Sequence, residues 1–173
     1  MITPDTKDWT WVLERPCADC GLDTPAVDPE AVAGMVRVNA AAWVDLLAGD
    51  PAELRRRPDP QTWSLLEYAC HVRDVFRLFE IRLGLMLDQD DPAFPNWNQD
   101  DTAVEDRYAE QDPARVAVEL AEAAAVLAGS FEQVGGAQWQ RTGARSDGAR
   151  FTVASFAQYL IHDPVHHLHD VTA

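Results

Sequence analysis

Apolar and polar positions recur with a helical period in four long segments of the chain. The first, "DPEAVAGMVRVNAAAWVDLLAG", opens on Asp28 as N-cap, places Pro29 at the first helical position and stops at Gly49. The second, "TWSLLEYACHVRDVFRLFEIRLGLML", begins near Thr62 or Ser64 and runs to about Leu87. Along it Leu65, Ala69, Val72, Phe76, Phe79, Leu83 and Met86 alternate by four and three, the seam of a bundle helix. The third repeats the Asp-Pro start at Asp112 and Pro113, is rich in alanine through Val134, and meets Gly135 and Gly136. The fourth starts near Thr152 and runs into "YLIHDPVHHLHDV", residues 159–171. No segment alternates with period two, although 139–151 has room for a short hairpin-like loop.

The connections set the topology. Residues 88–111 form a polar link with two prolines, whereas bundle hairpins need only ~2–8 residues. A link of that length can run the length of a bundle, so the second and third helices can lie parallel. The predicted fold is all-α: a four-helix bundle with one long crossover, filling 1–173 as a single domain. Residues 1–27 read as an irregular arm pinned by Trp9 and Trp11.

Composition narrows the function. The net charge is −15 and the longest basic run is Arg55–Arg57, which argues against nucleic-acid binding. No apolar run approaches the ~20 residues of a membrane span, and the N-terminus has no secretory pattern, so a cytoplasmic protein without membrane contact is expected. Three cysteines do not make a disulfide framework, which suits a reducing compartment.

Four of the five histidines lie in 159–171. Helical ligands share a face at spacings of three or four, so two pairs qualify: His162 with His166, and Asp163 with His167. The apolar rhythm Val153, Phe156, Leu160 continues onto Asp163, His167 and Asp170. His162, His166 and His169 instead continue the face of Ser155, Gln158 and Tyr159, which predicts an outward or flanking position. A core carboxylate needs a cation or donors, and a metal supplies the cation. Pro164 offers the competing role: it removes a donor and can kink the helix or restart it with Asp163 as N-cap. The remaining histidine, His71, lies on the flank of the second helix's apolar seam. Two imidazoles and one carboxylate describe an open, catalytic type of metal site. Glu67 and Asp74, one turn either side of His71, and Asp170 are the candidates to orient the ligand imidazoles.

Further features carry alternatives. Cys17 and Cys20, in "CADC", have the spacing of half a zinc site or a redox pair. Completion by His166 or His169 is one reading; a folded-back arm packed near the bundle is the other. Cys70 lies about 100° from His71 on the helical wheel and reads as structural. Trp97, Tyr108 and Trp139 either wall a substrate pocket or anchor loops.

"WSLLEYACHVRDV" resembles the second-helix motif of the DinB/YfiT-like metalloenzyme superfamily, in which a central histidine is a metal ligand. "DPVHHLHDV" resembles that superfamily's last-helix pattern, related also to the N-terminal domains of mycothiol-dependent maleylpyruvate isomerases. Matched residue by residue, the resemblance implies His71, Asp163 and His167 as ligands. Many members carry histidine, and the isomerase branch glutamate, where this chain has Asp163, so His162 and His166 stay open as the alternative pair. The resemblance implies a divalent metal, zinc first with nickel or iron also possible. It further implies a small-molecule thiol and an electrophilic substrate, with metal-bound water or thiolate as nucleophile. The Ala- and Asp-rich, lysine-poor composition suits a GC-rich source and hence mycothiol. The extra C-terminal domain of the isomerases is not expected here, so their particular reaction is not implied. A thiol S-transferase or isomerase-like enzyme, monomeric or homodimeric, is therefore the leading expectation. A non-catalytic metal-binding or stress-related bundle and an iron oxygenase of the two-histidine-one-carboxylate type are the alternatives.

Overall fold

Each of the long helices begins on local capping chemistry. In the computed structural model, which describes residues 2, 4 and 7–173, Asp28 caps a short 3-10 turn, Pro29–Ala31, that leads into α1, Val32–Leu47. A single turn, α2, Pro51–Leu54, follows behind Asp50. Ser64 and Glu67 form a reciprocal capping box at the start of α3, Leu65–Asp88. Asn98 caps a short helix inside the crossover, α4, Gln99–Glu105. Asp112 caps α5, Pro113–Glu132, and Thr152 caps α6, Val153–Thr172.

α1, α3, α5 and α6 form the bundle. α5 packs along both α1 and α3, and α6 packs on the same two from the other side. Contacts between α3 and α5 ascend together: Arg73 bonds Glu119 at 2.8 Å and Glu80 bonds Ser130 at 2.9 Å. The two helices therefore run parallel, joined by the crossover. Trp43, Phe76, Leu83, Leu120, Leu127, Phe156 and Leu160 are among the fully buried side chains of one contiguous core.

A small sheet is added that the hydrophobic pattern gives only in part. β1, Ala93–Phe94, lies parallel to β2, Thr142–Arg145, which pairs antiparallel with β3, Arg150–Thr152. The β2–β3 hairpin forms from the 139–151 loop and ends one residue beyond it at Thr152, whereas β1 comes from the crossover. Gly143 is required where β2 crosses α3, because a Cβ there would meet Met86 Cγ at 2.8 Å and Phe94 at 3.1 Å. Arg141 closes the C-terminus of α3 by donating to Met86 O at 2.7 Å and Gln89 O at 2.6 Å, carbonyls that the helix leaves unpaired.

The arm folds back along α6. Trp9–Leu13 forms a 3-10 turn with Val12 fully buried, and Gln158 of α6 donates to Val27 O at 2.8 Å. α6 itself runs without interruption from Val153 to Thr172, with Pro164 inside it. The competing restart at Asp163 does not form: the proline removes one backbone donor, packing holds the helix on, and Asn39 of α1 donates to the Pro164 carbonyl at 2.9 Å.

Candidate metal centre

α3 and α6 bring one histidine and a carboxylate–histidine pair together near one end of the bundle. His71 is fully buried on α3, and its Nε2 lies 3.2 and 3.3 Å from the two oxygens of Asp163. His167, one turn beyond Asp163, places Nε2 3.8 Å from Asp163 Oδ2. The two imidazole rings meet edge-on, with centroids 5.1 Å apart. One donor atom from each of the three residues lies within 4.8 Å of the other two.

These distances fit a divalent ion. Metal–nitrogen and metal–oxygen bonds of about 2.0–2.2 Å at tetrahedral angles separate nitrogen from oxygen by about 3.4 Å. Burial opposes ionisation of Asp163, but His71 and His167 beside it outweigh that and hold its carboxyl well below the usual carboxylate range. The group is therefore an anion facing two imidazoles, the donor set of an open site.

The surroundings fix both rings. Trp97 stacks on His71, its plane inclined by 6°, and is itself held by a 2.8 Å bond from Nε1 to Thr102. Tyr68 packs on His167 with centroids 4.9 Å apart. Asp170 Oδ2 lies 3.1 Å from His167 Nδ1, a carboxylate that sets the ring's orientation. Glu67 and Asp74 do not reach His71. Glu67 is taken by Arg57 and the Ser64 backbone, the latter at 2.8 Å. Asp74 is taken by Arg73, Arg77 and the Tyr108 hydroxyl. His71 Nδ1 is buried with no hydrogen-bond partner among the described residues.

Two recesses meet at His167. One, of about 110 Å³, is bounded by Asp163, His167, Trp97, Tyr159, Arg82 and Arg145. The other, of about 250 Å³, runs past Trp63, Tyr68, His166 and Asp170. Trp9 and Gln99 border both. Arg82 is only 4% exposed, donates to Pro95 O at 2.7 Å, and leaves Nε without a hydrogen-bond partner among the described residues. Burial and the nearby Arg145 push its pKa down to about 10. Arg145 pairs with Asp147 and donates to the Tyr159 hydroxyl at 3.1 Å. Burial raises the Tyr159 pKa against the pull of Arg145, so the phenol stays protonated.

His162 and His166 depart from the expected polar face: they are 4% and 8% exposed. The arm covers them, with Trp9 centroids 5.3 and 5.1 Å from the two rings. Periodicity measured against the bundle could not register a cover supplied from outside. Burial and the neighbouring His166 push the His162 pKa down to about 4. Cys17 Sγ lies 3.6 Å from His166 Nδ1, whereas His169 is exposed. Cys70 is buried, its thiol pushed up to about 12 by burial, and it faces Gln111 and the Tyr108 carbonyl. Tyr108 is a core residue, and Trp139 stacks on Phe131. Of the three loop aromatics, Trp97 is the one at the recess. The pattern missed Arg82 and Arg145; an arginine between Phe79 and Leu83, within the apolar seam, was the visible signal for the first.

The chain belongs to the DinB superfamily, whose sequence profile matches residues 34–171. Its fold is similar to that of YfiT from Bacillus subtilis, with a TM-score of 0.73 and 16% identity over 82% of each chain. YfiT is described as "a probable metal-dependent hydrolase with an unusual four-helix bundle topology". No curated protein matches the chain. Among the described residues, no helix is long and apolar enough to cross a membrane.

Proposed function

We propose that this protein is a divalent-metal-dependent enzyme that transfers a low-molecular-weight thiol, of the mycothiol type, to a small anionic electrophile. The observation that carries this reading is the His71–Asp163–His167 cluster opening between two recesses. Zinc is the expected ion, and it would supply Lewis-acid stabilisation of an anionic nucleophile near neutral pH.

The chain's own residues supply the rest. Asp163, His71 and His167 would hold the ion, and Asp170 orients His167. Arg82 gives the electrophile its charge selectivity: a buried guanidinium without a carboxylate partner among the described residues favours an anion beside it. The Tyr159 hydroxyl, held by Arg145, adds a neutral donor at the same recess. Trp97 and Tyr68 each pack against one of the two imidazole rings. A sulfur–carbon bond forms as the leaving group departs with its electron pair, and the thiol proton passes to solvent.

Two recesses suit two substrates, which favours transfer over hydrolysis. Hydrolysis is the second reading, favoured by the description of YfiT. The feature that favours the non-catalytic alternative is the Asp163-Pro164 step, and α6 runs through it without interruption. Zinc-loaded protein incubated with an electrophile, the anion chloroacetate or the neutral monochlorobimane, and, separately, mycothiol, bacillithiol and glutathione separates these readings. Thiol-dependent turnover that disappears in His71→Ala supports transfer. Absence of any thiol-dependent turnover in the loaded wild type overturns it.

A further inference from the structure

A second group of metal-ligating side chains lies outside the site described above. Cys17 and Cys20 of the arm face His162 and His166 of α6, and one donor atom from each lies within 4.8 Å of the other three. We propose that these four residues form a closed Cys2His2 zinc site that staples the arm to α6.

The spacing at both ends suits one ion. His162 and His166 are one helical turn apart, so both imidazoles project from the same face of α6. The arm presents its sulfurs from a tight turn: Gly21 N–H donates to Cys17 O and Cys17 N–H to Leu22 O, each at 2.9 Å. Gly21 has φ of +77°, a conformation glycine adopts without strain. The Cys17 Sγ to His166 Nδ1 distance is 3.6 Å. Zinc–sulfur bonds of about 2.3 Å and zinc–nitrogen bonds of about 2.0–2.1 Å at tetrahedral angles give a separation of about 3.6 Å.

Burial supplies an independent observation. His162 is 4% exposed, and its Nε2 is buried with no hydrogen-bond partner among the described residues. An imidazole nitrogen left so is costly unless it binds something. Cys17 and His166 are also buried, and the three cysteines of the chain are free thiols. Two sulfurs and two imidazoles with no carboxylate and no open position are the donor set of a structural zinc site, unlike the open His-Asp-His set of the bundle.

The position gives the staple a consequence. Trp9, eight residues before Cys17, packs on both histidines and walls both recesses. The His166 ring also lies against His167, with centroids 5.7 Å apart. Zinc at this site therefore holds the outer wall of the reaction chamber in place.

Zinc content of the full chain, purified with a reductant and without chelator, tests this. The double variant Cys17→Ser/Cys20→Ser should lose about one equivalent of zinc per chain relative to wild type. His71→Ala should keep that equivalent. Cobalt substitution of the wild type gives a readout that needs no variant: thiolate ligation produces a sulfur-to-cobalt charge-transfer band. Equal zinc in wild type and double variant, a cobalt form without that band, or a Cys17–Cys20 disulfide in the reduced preparation would each overturn the proposal. Loss of zinc in His71→Ala alone would do so while leaving the bundle site intact. Loss in the double variant alone would leave the staple standing and remove support for the bundle site.

Discussion

His71 Nε2 and Asp163 Oδ1 meet at 3.2 Å although 92 residues separate them in the chain. The meeting depends on two helices whose starts are fixed locally, by the Ser64–Glu67 and Thr152–Ser155 capping pairs. Shifting either start by one residue would rotate its ligand by about 100° and dissolve the cluster.

Glu67 ties that start to pH. Burial alone would raise its pKa, but the Arg57 guanidinium and the Ser64 backbone N–H outweigh it and hold the carboxyl below the usual range. A carboxylate depressed in the folded state contributes stability above its unfolded pKa of about 4.3, and that contribution is lost as pH falls through the lower folded value. Glu67→Gln is expected to cost about 1–3 kcal/mol at neutral pH. Urea unfolding at a series of pH values should show the gap between wild type and variant closing below about pH 4.3. A gap that persists undiminished into strong acid contradicts this assignment.

Arg82 is predicted to be costly to the fold and useful to the site. Arg82→Met removes a buried cation of similar volume and should leave the melting temperature unchanged or higher. The same variant should lose the stabilisation that wild type gains from a small dicarboxylate such as succinate. Thermal scans with and without succinate read both effects. A destabilised variant that still responds to succinate would remove Arg82 from anion recognition.

Asp170 acts through His167 Nδ1. Asp170→Asn should weaken zinc binding at the bundle site by roughly 10–100-fold without altering the fold, as competition with a chromogenic chelator can measure. Unchanged affinity would show that the 3.1 Å contact does not position the ring.

Much of this architecture is legible in the sequence because capping is local chemistry. Asp28, Ser64, Asp112 and Thr152 announce the long helices before any packing is known. The alignment of Asp163 and His167 with the core face follows from the apolar rhythm of Val153, Phe156 and Leu160. The β1–β2 pairing is not legible, since a two-residue parallel strand pairs across about fifty positions and leaves no periodic trace. The burial of His162 and His166 escapes for another reason. Their cover comes from the arm, whose irregular backbone has no period, and only Trp9 and the Cys17–Cys20 spacing hinted at it. The proline within α6 leaves two roles open for Asp163 in the sequence, because the packing that carries the helix through it leaves no local signal.

Zinc titration of metal-stripped wild type, His71→Ala and the volume-conserving His71→Phe tests the central claim most directly, with circular dichroism confirming that all three fold. The account predicts that both variants bind about one equivalent less per chain than wild type. Equal uptake by all three folded proteins would contradict it.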